Sequence, residues 1–242
     1  MEKMRVDKCP VSQEIKSMSI KKTASWVHDY FYLAKGYTFM FHKPPKHYLS
    51  YVLENKSPVI LIPGLYSKWQ FLKAIADPIS LKGHPVYVVG RLGYNTKAID
   101  RSAKLIRELI DEKNLRNVII IAHSKGGLIA KHLLAYDNQD GRVTKVIAIA
   151  TPFLGSHAVR FLPGKAFKEL HPEGEIIKKL HSQSEVNHKI VSIFGEFDNH
   201  IWPTGNCRLE GAKNIQVNVY GHHKILFNKH VRDIILEEIE KE

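Results

Sequence analysis

Six short apolar runs between residues 58 and 221 constrain the fold of this chain more than any other feature. Each run is rich in valine and isoleucine, and most of them end at a small residue. Strands that are apolar on both faces are typical of a parallel sheet covered by helices. The predicted strands lie within residues 58–64, 85–90, 117–123, 145–152, 190–195 and 215–221.

Helical patterns lie between these runs. The apolar residues of 96–113 form one stripe, and residues 125–136 are almost all apolar, which suits a helix buried against a sheet. Residues 228–241 begin with Asn228 as an N-cap and place their aliphatic residues on one side. The alternation predicts an α/β fold with a mostly parallel central sheet of about six strands and helices on both faces. Because no internal repeat or low-complexity linker interrupts it, we predict a single domain over residues 1–242.

Two regions interrupt the alternation. Residues 1–57 are rich in aromatic residues, and we predict an N-terminal extension packed on or beside the sheet, helical at first and then strand or extended chain before Pro44. Aromatic residues beside lysines also suit a lipid interface, which is the alternative. Residues 153–186 separate two predicted strands and are too long for a simple turn. They form either a short cap over a pocket or one helix with irregular flanks.

Composition limits the location and the cofactors that we expect. No apolar run approaches the roughly 18 residues that cross a bilayer, and residues 1–22 lack the apolar core of a signal peptide, so a cytoplasmic location is expected. Cys9 and Cys207 are expected to be free thiols rather than a disulfide. The 14 histidines show no ligand spacing with a supporting cysteine or carboxylate, so neither a metal nor a cofactor is expected.

Three residues with catalytic side chains follow three of the predicted strands. They are Ser124, Asp198 and His222, in that order along the chain. Ligands of open α/β sheets bind at the carboxyl ends of the strands. A serine hydroxyl becomes a nucleophile when an imidazole removes its proton, and a carboxylate holds that imidazole in place. Glu196 is the alternative acid and His223 the alternative base.

The segment around the serine resembles a known motif. "AHSKGG" (122–127) is similar to the G-x-S-x-G nucleophile elbow of the α/β-hydrolase superfamily, with Ala122 in place of the first glycine. "RLEGAKNIQVNVYGHHKILFNKHV" (208–231) resembles the C-terminal stretch of small bacterial triacylglycerol lipases. The resemblance covers roughly residues 58–240 and implies the α/β-hydrolase fold. It leaves out the N-terminal segment, which those compact enzymes lack.

The resemblance implies a role for each of these residues. Ser124 corresponds to the nucleophile, His222 to the base and Asp198 to the acid. "IPGL" (62–65) corresponds to the oxyanion loop, although Pro63 replaces the usual histidine. The backbone N–H groups of Leu65 and Lys125 are the implied donors to the oxyanion.

Two side chains beside the serine allow several interpretations. His123 is expected to orient the elbow rather than to react. The Lys125 ammonium is expected to point into solvent; alternatively, it lies at the pocket rim and attracts carboxylates or lipid phosphates.

The net charge of +12 and the string "SKGG" raise the alternative of a phosphate- or nucleic-acid-binding protein. The lysine precedes the glycines, so the G-x-x-x-x-G-K-[ST] spacing of a P-loop is absent. The aromatic and basic motif of a nucleic-acid module is absent as well, and no nucleic-acid partner is expected.

The hypothesis from the sequence is a serine carboxylic-ester hydrolase, a lipase or an esterase, that acts through an acyl-enzyme. Its expected partners are an ester or lipid substrate and, transiently, a lipid interface. An acyltransferase, a thioesterase and an amidase on the same fold are the alternatives.

Overall fold

The computed structural model describes residues 20–241, and their central feature is a sheet of six strands that all run parallel. The strands are β1 Val59–Ile62, β2 Val86–Val88, β3 Val118–His123, β4 Val143–Ile149, β5 Ile190–Phe197 and β6 Lys213–Tyr220. Their order across the sheet is β2-β1-β3-β4-β5-β6. The predicted α/β fold is therefore confirmed, and each of the six apolar runs overlaps one strand, although β4, β5 and β6 extend two residues beyond their runs.

The helices connect the strands and flank the sheet. They are α1 Ile20–Thr38, α2 His47–Ser50, α3 Lys73–Leu81, α4 Ile99–Glu112, α5 Lys125–Tyr136, α6 Lys165–Lys168, α7 Glu175–His181 and α8 Lys229–Glu240. The three helices that the periodicity predicts are present as α4, α5 and α8. Asn228 caps α8, since its side-chain oxygen accepts a hydrogen bond of 3.2 Å from the N–H of Val231.

Both faces of the central strands β1 and β3 are buried, whereas the edge strand β6 exposes Lys213, Gln216 and Asn218. Alternate strand residues point to opposite sides of the sheet. In β1, Ile60 and Ile62 pack into the core under α4 and α5. Val59 and Leu61 pack into the core under α3 and α8. This explains why the central strands are apolar on both faces. The loops at the carboxyl edge of the sheet remain free to carry polar side chains.

The two interrupting regions contain the long helix α1 and several short elements. Residues 39–46 form a turn and irregular chain, with no strand among them. Residues 153–186 contain α6, α7 and a 3₁₀ turn at His157–Phe161. Cys207 is a buried free thiol, whereas Cys9 lies outside the described residues. Across residues 20–241, no helix is both long enough and apolar enough to cross a membrane.

Candidate active site

Ser124 occupies a sharp turn between β3 and α5. Its backbone has φ +52° and ψ −123°, a left-handed conformation that a residue with a Cβ atom rarely adopts. Two hydrogen bonds hold it there: the Ser124 N–H donates to the Ile149 carbonyl at 2.9 Å, and the Gly127 N–H donates to the Ser124 carbonyl at 3.0 Å. Such strain persists only where surrounding contacts impose it, and it raises the serine side chain above the sheet edge.

The two glycines after Ser124 allow α5 to approach the sheet. A Cβ atom at Gly126 would lie 2.9 Å from the Pro63 carbonyl oxygen and closer still to that of Ile62. A Cβ atom at Gly127 would lie 2.8 Å from the Cβ of Thr151. Larger residues at either position would displace the helix that begins directly after the serine.

Asp198 and His222 form a buried pair at the ends of β5 and β6. The Nδ1 atom of His222 lies 2.7 Å from Oδ2 of Asp198. The other oxygen, Oδ1, accepts hydrogen bonds from the N–H groups of His200 at 2.7 Å and Ile201 at 2.9 Å. With Nδ1–H donated to the carboxylate, Nε2 is the nitrogen of His222 that can accept a proton.

Burial controls the charge of this pair. Burial lowers the pKa of His222 to about 3, and the nearby His223 acts in the same direction. The imidazole is therefore neutral, which a general base must be. Burial raises the pKa of Asp198 above its ordinary range, whereas His200, through its charge and its backbone N–H, acts in the opposite direction.

Two backbone N–H groups lie beside the serine. A Cβ atom at Gly64 would lie only 3.2 Å from the Cβ of Ser124, which places the loop that carries Leu65 directly against the elbow. Within residues 20–241, neither the Leu65 N–H nor the Lys125 N–H has a hydrogen-bond acceptor. Both N–H groups are therefore donors without an acceptor in this part of the chain.

Ser124 and His222 line one cavity of about 220 Å³. Most of its other walls are apolar and come from α1, from the loops after β1 and β5 and from residues 153–186. Those apolar residues are Leu33, Leu65, Val159, Leu162, Phe167, Leu170 and Ile201. The arrangement suits a substrate with an apolar portion next to a reactive carbonyl.

Residues 83–211 match the family described as the PGAP1-like alpha/beta domain. The chain belongs to this family. The matched segment includes Ser124 and Asp198, whereas His222 lies beyond it.

Solved structures of lipases share the fold of this PGAP1-like domain. Bacillus licheniformis lipase BlEst2 in its mature form superposes with a TM-score of 0.65 at 16% identity, covering 79% of this chain and 95% of that one. Aspergillus fumigatus lipase B superposes with a TM-score of 0.66 at 17% identity, covering 83% of this chain and 56% of that one. A Paleococcus ferrophilus monoacylglycerol lipase superposes with a TM-score of 0.59 at 14% identity, covering 76% of this chain and 96% of that one. At these identities the likeness shows the fold alone.

The alternative acid and base of this PGAP1-like domain lie elsewhere. Glu196 is exposed and accepts a hydrogen bond from the hydroxyl of Tyr220. His223 is bonded through Nδ1 to Oδ2 of Asp29 at 2.9 Å. The structure therefore pairs His222, rather than His223, with Asp198.

The expectation that the Lys125 side chain points into solvent is wrong, and so is the pocket-rim alternative. The side chain is fully buried, and its Nζ donates to the Lys97 carbonyl at 2.6 Å. Nζ also lies 3.3 Å from Oε2 of Glu169. Burial lowers the pKa of Lys125, and Glu169 acts against this. The lysine lies inside the protein because a carbonyl and a carboxylate replace the water that its ammonium would otherwise bind.

Three residues that the sequence did not indicate surround His222. The side-chain oxygen of Asn199 accepts a hydrogen bond of 3.0 Å from the His222 N–H. The ring of His200 stacks on that of His222, with centroids 4.7 Å apart. Asp29 binds the residues directly after His222. One feature of the sequence could have drawn attention to Asp29: it is the only acidic residue between Glu14 and Glu54.

Asp29, His200 and His223 each offer one potential metal ligand, and these atoms lie within 4.8 Å of one another. Both oxygens of Asp29 already accept hydrogen bonds from protein donors. These hydrogen bonds account for Asp29 and for Nδ1 of His223, whereas Nε2 of His200 has no hydrogen-bond partner among residues 20–241. His123 is also tied to this region, since its Nε2 lies 3.1 Å from the carbonyl oxygen of His222.

Proposed function

We propose that this PGAP1-like domain is a serine carboxylic-ester hydrolase that uses Ser124, His222 and Asp198. One observation carries the proposal: a serine on a strained strand-to-helix turn shares an apolar cavity with a histidine whose Nδ1 is bonded to a buried aspartate. A geometry of this kind supports acyl transfer to the serine.

The proposed reaction proceeds through an acyl-enzyme. Ser124 Oγ attacks the ester carbonyl carbon while His222 Nε2 takes the hydroxyl proton. The carbonyl oxygen becomes an oxyanion, which accepts hydrogen bonds from the N–H groups of Leu65 and Lys125. The intermediate then expels the alcohol, which receives the proton from His222. Water attacks the acyl-enzyme in the same way and releases the acid.

The surroundings of the cavity favour esters with apolar acyl chains. Tyr66 and Leu162 line the cavity and are also 44% and 45% exposed to solvent. Phe161, next in sequence to Leu162, is 66% exposed. We propose that this apolar rim contacts a lipid surface and that residues 153–186 act as a cap, because side chains of that segment form part of the cavity wall.

Hydrolysis of p-nitrophenyl esters from acetate to long-chain acyl groups tests the proposal. The Ser124→Ala variant is expected to lose roughly 1,000-fold or more in kcat. Ser102→Ala is the matched control, because Ser102 is a buried serine of α4 outside the cavity. Equal hydrolysis by the wild type and Ser124→Ala would overturn the proposal.

The same assay separates hydrolysis from acyl transfer. Product analysis in the presence of alcohol, thiol or amine acceptors shows where the acyl group goes. Release of the free acid as the main product is expected. Transfer of most of the acyl group to an added acceptor would instead favour an acyltransferase.

A further inference from the structure

We infer that Asp29 is a positioning residue for His222 and that, with His223, it forms a second buried histidine–aspartate pair behind the catalytic one. This inference rests on the proposed function. It makes the N-terminal helix α1 part of the active site.

Asp29 binds the turn that directly follows His222. Its side chain is fully buried, and Oδ1 accepts hydrogen bonds of 2.8 Å from the N–H groups of both His223 and Lys224. Its Oδ2 lies 2.9 Å from Nδ1 of His223. Three donors from two consecutive residues thus converge on one carboxylate, so the carboxylate fixes the direction of the chain as it leaves His222.

Asp29 also contacts the chain on the other side of His222. Gly221 has φ +127°, and a Cβ atom there would lie 2.5 Å from Oδ1 of Asp29. The backbone before His222 therefore passes against the same carboxylate that binds the backbone after it. With both flanks fixed, the backbone of His222 has little freedom to move away from Ser124.

The backbone groups of His222 itself are held from other parts of the fold. Asn199 accepts the His222 N–H at 3.0 Å, and Nε2 of His123 lies 3.1 Å from the His222 carbonyl. These contacts come from the loop after β5 and from the end of β3. Asp29 adds the contact from α1, so three separate elements together set the position of the imidazole.

The charge of Asp29 also acts on His222. Burial raises the pKa of Asp29, but the hydrogen bond and charge of His223 together with the Lys224 N–H hold it below its ordinary value, so the carboxylate is ionised. This buried charge opposes the lowering of the pKa of His222. The imidazole becomes a cation when it takes the serine proton, and a second nearby carboxylate stabilises that cation.

Asp29→Asn and Asp29→Ala test the inference, with Asp77→Asn as the matched control. Asp77 also binds the N-terminal segment, since it accepts a hydrogen bond of 2.9 Å from the Tyr48 hydroxyl. Active sites are counted by labelling Ser124 with a fluorophosphonate, so that kcat refers to folded enzyme. Asp29→Ala is expected to lose roughly 100-fold in kcat with little change in KM, because displacement of a catalytic group slows the reaction without removing substrate contacts.

Asp29→Asn keeps an oxygen for the two N–H groups, removes the charge and places an NH2 donor opposite Nδ1 of His223. We expect it to regain about tenfold of the rate that alanine loses. The acid limb of its profile of kcat against pH should move to lower pH, because the negative charge that favours protonation of His222 is gone. The titratable groups that face His222 are Asp29, Asp198, His123, His200 and His223. A purely structural role would reduce the number of labelled sites without moving this limb.

The possible failures are distinguishable. A wild type that neither hydrolyses any ester of the series nor reacts with the fluorophosphonate would overturn the proposed function and this inference together. An active wild type with normal kcat and an unmoved acid limb in Asp29→Asn would overturn the inference alone. Should Asp29→Ala not fold, Asp29→Asn decides the outcome. Asp77→Asn is expected to keep the wild-type kcat, and an equal loss there would also contradict a specific role for Asp29.

Discussion

The ammonium of Lys125 lies 3.3 Å from Oε2 of Glu169, and this ion pair joins the start of α5 to the segment at 153–186. Glu169 also accepts a hydrogen bond of 3.4 Å from the Ile99 N–H through its other oxygen. One carboxylate therefore ties the segment that forms part of the cavity wall to both α4 and α5.

Removing one partner of this pair should cost more stability than removing both. Glu169→Gln leaves a buried ammonium with too few acceptors, and we expect a loss of about 2 kcal/mol in the free energy of unfolding. The double variant Lys125→Met/Glu169→Gln should regain most of this loss. Urea denaturation measures the free energy of unfolding of both variants. Glu108→Gln is the control, because Glu108 forms an exposed ion pair with Arg91. A double variant less stable than Glu169→Gln would contradict the expectation.

Asp198→Asn should lower kcat for ester hydrolysis by about 10⁴-fold while the fold is kept. The asparagine oxygen would stay on the N–H groups of His200 and Ile201, so its NH2 group would face Nδ1 of His222 and donate to it. The imidazole would then be held in the wrong tautomer and would lose the partner of its cationic form. Glu196→Gln is the matched control, because Glu196 lies two residues before Asp198, on β5, and is exposed. The hypothesis requires that kcat of Glu196→Gln stay within about twofold of the wild-type value, a far smaller change than the loss of the catalytic acid causes.

Gly126→Ala should destabilise the protein by about 1–3 kcal/mol, because the new methyl group would overlap the carbonyls of Ile62 and Pro63. Gly90→Ala is the control, since a Cβ atom there would meet no atom within 4 Å. Thermal unfolding of both variants measures the difference. Similar melting temperatures for the two would show that the elbow tolerates more volume than its geometry indicates.

The stability of this domain should fall as the pH drops below about 6.5, and His123 should contribute. Burial holds the pKa of His123 well below its ordinary value of 6.5. Below pH 6.5 the His123 side chain of the unfolded chain binds a proton, whereas that of the folded protein stays neutral. Proton binding therefore favours the unfolded state, and the free energy of unfolding decreases as the pH falls below 6.5. The free energy of unfolding of His123→Gln should therefore depend less steeply on pH than that of the wild type, by up to about 1.4 kcal/mol per pH unit.

Urea denaturation at a series of pH values measures this slope. His181→Gln is the control, because His181 is exposed to solvent. Identical slopes for the wild type and His123→Gln would mean that His123 takes up a proton equally in the folded and unfolded states.

The exposed apolar rim should matter for lipid substrates and not for soluble ones. We expect the double variant Phe161→Ser/Leu162→Ser to hydrolyse emulsified long-chain esters several-fold more slowly. Full burial of one large apolar side chain contributes about 1.5–3 kcal/mol, and a lipid surface covers these two side chains only in part. Hydrolysis of a soluble short-chain ester should stay the same. Leu81→Ser, at an exposed leucine of α3 outside the cavity, is the control. Equal losses on both kinds of substrate would argue for a folding defect instead of a contact with lipid.

Local patterns were sufficient for most of the fold. The valine- and isoleucine-rich runs predicted the positions of all six strands. β1, and β3 up to Ala122, are apolar throughout because they are buried on both faces, whereas in β6 only alternate residues such as Val217 and Val219 are buried. The helix at 125–136 coincides with α5, and Asn228 caps α8. The short elements within 153–186 were harder to foresee, since helices of four and seven residues carry too few turns to show a period.

The sequence by itself determined the parallel sheet and the order of serine, aspartate and histidine at three strand ends, since both follow from residue types at adjacent positions. Only the tertiary structure decided how side chains distant in sequence pair. Asp29 and His223 are 194 residues apart, and no local period records such a contact. The buried ammonium of Lys125 has the same origin, because the partners that replace its water, Lys97 and Glu169, come from other loops. Residue type gives the cost of burying a charge, and the fold alone supplies the groups that compensate for it.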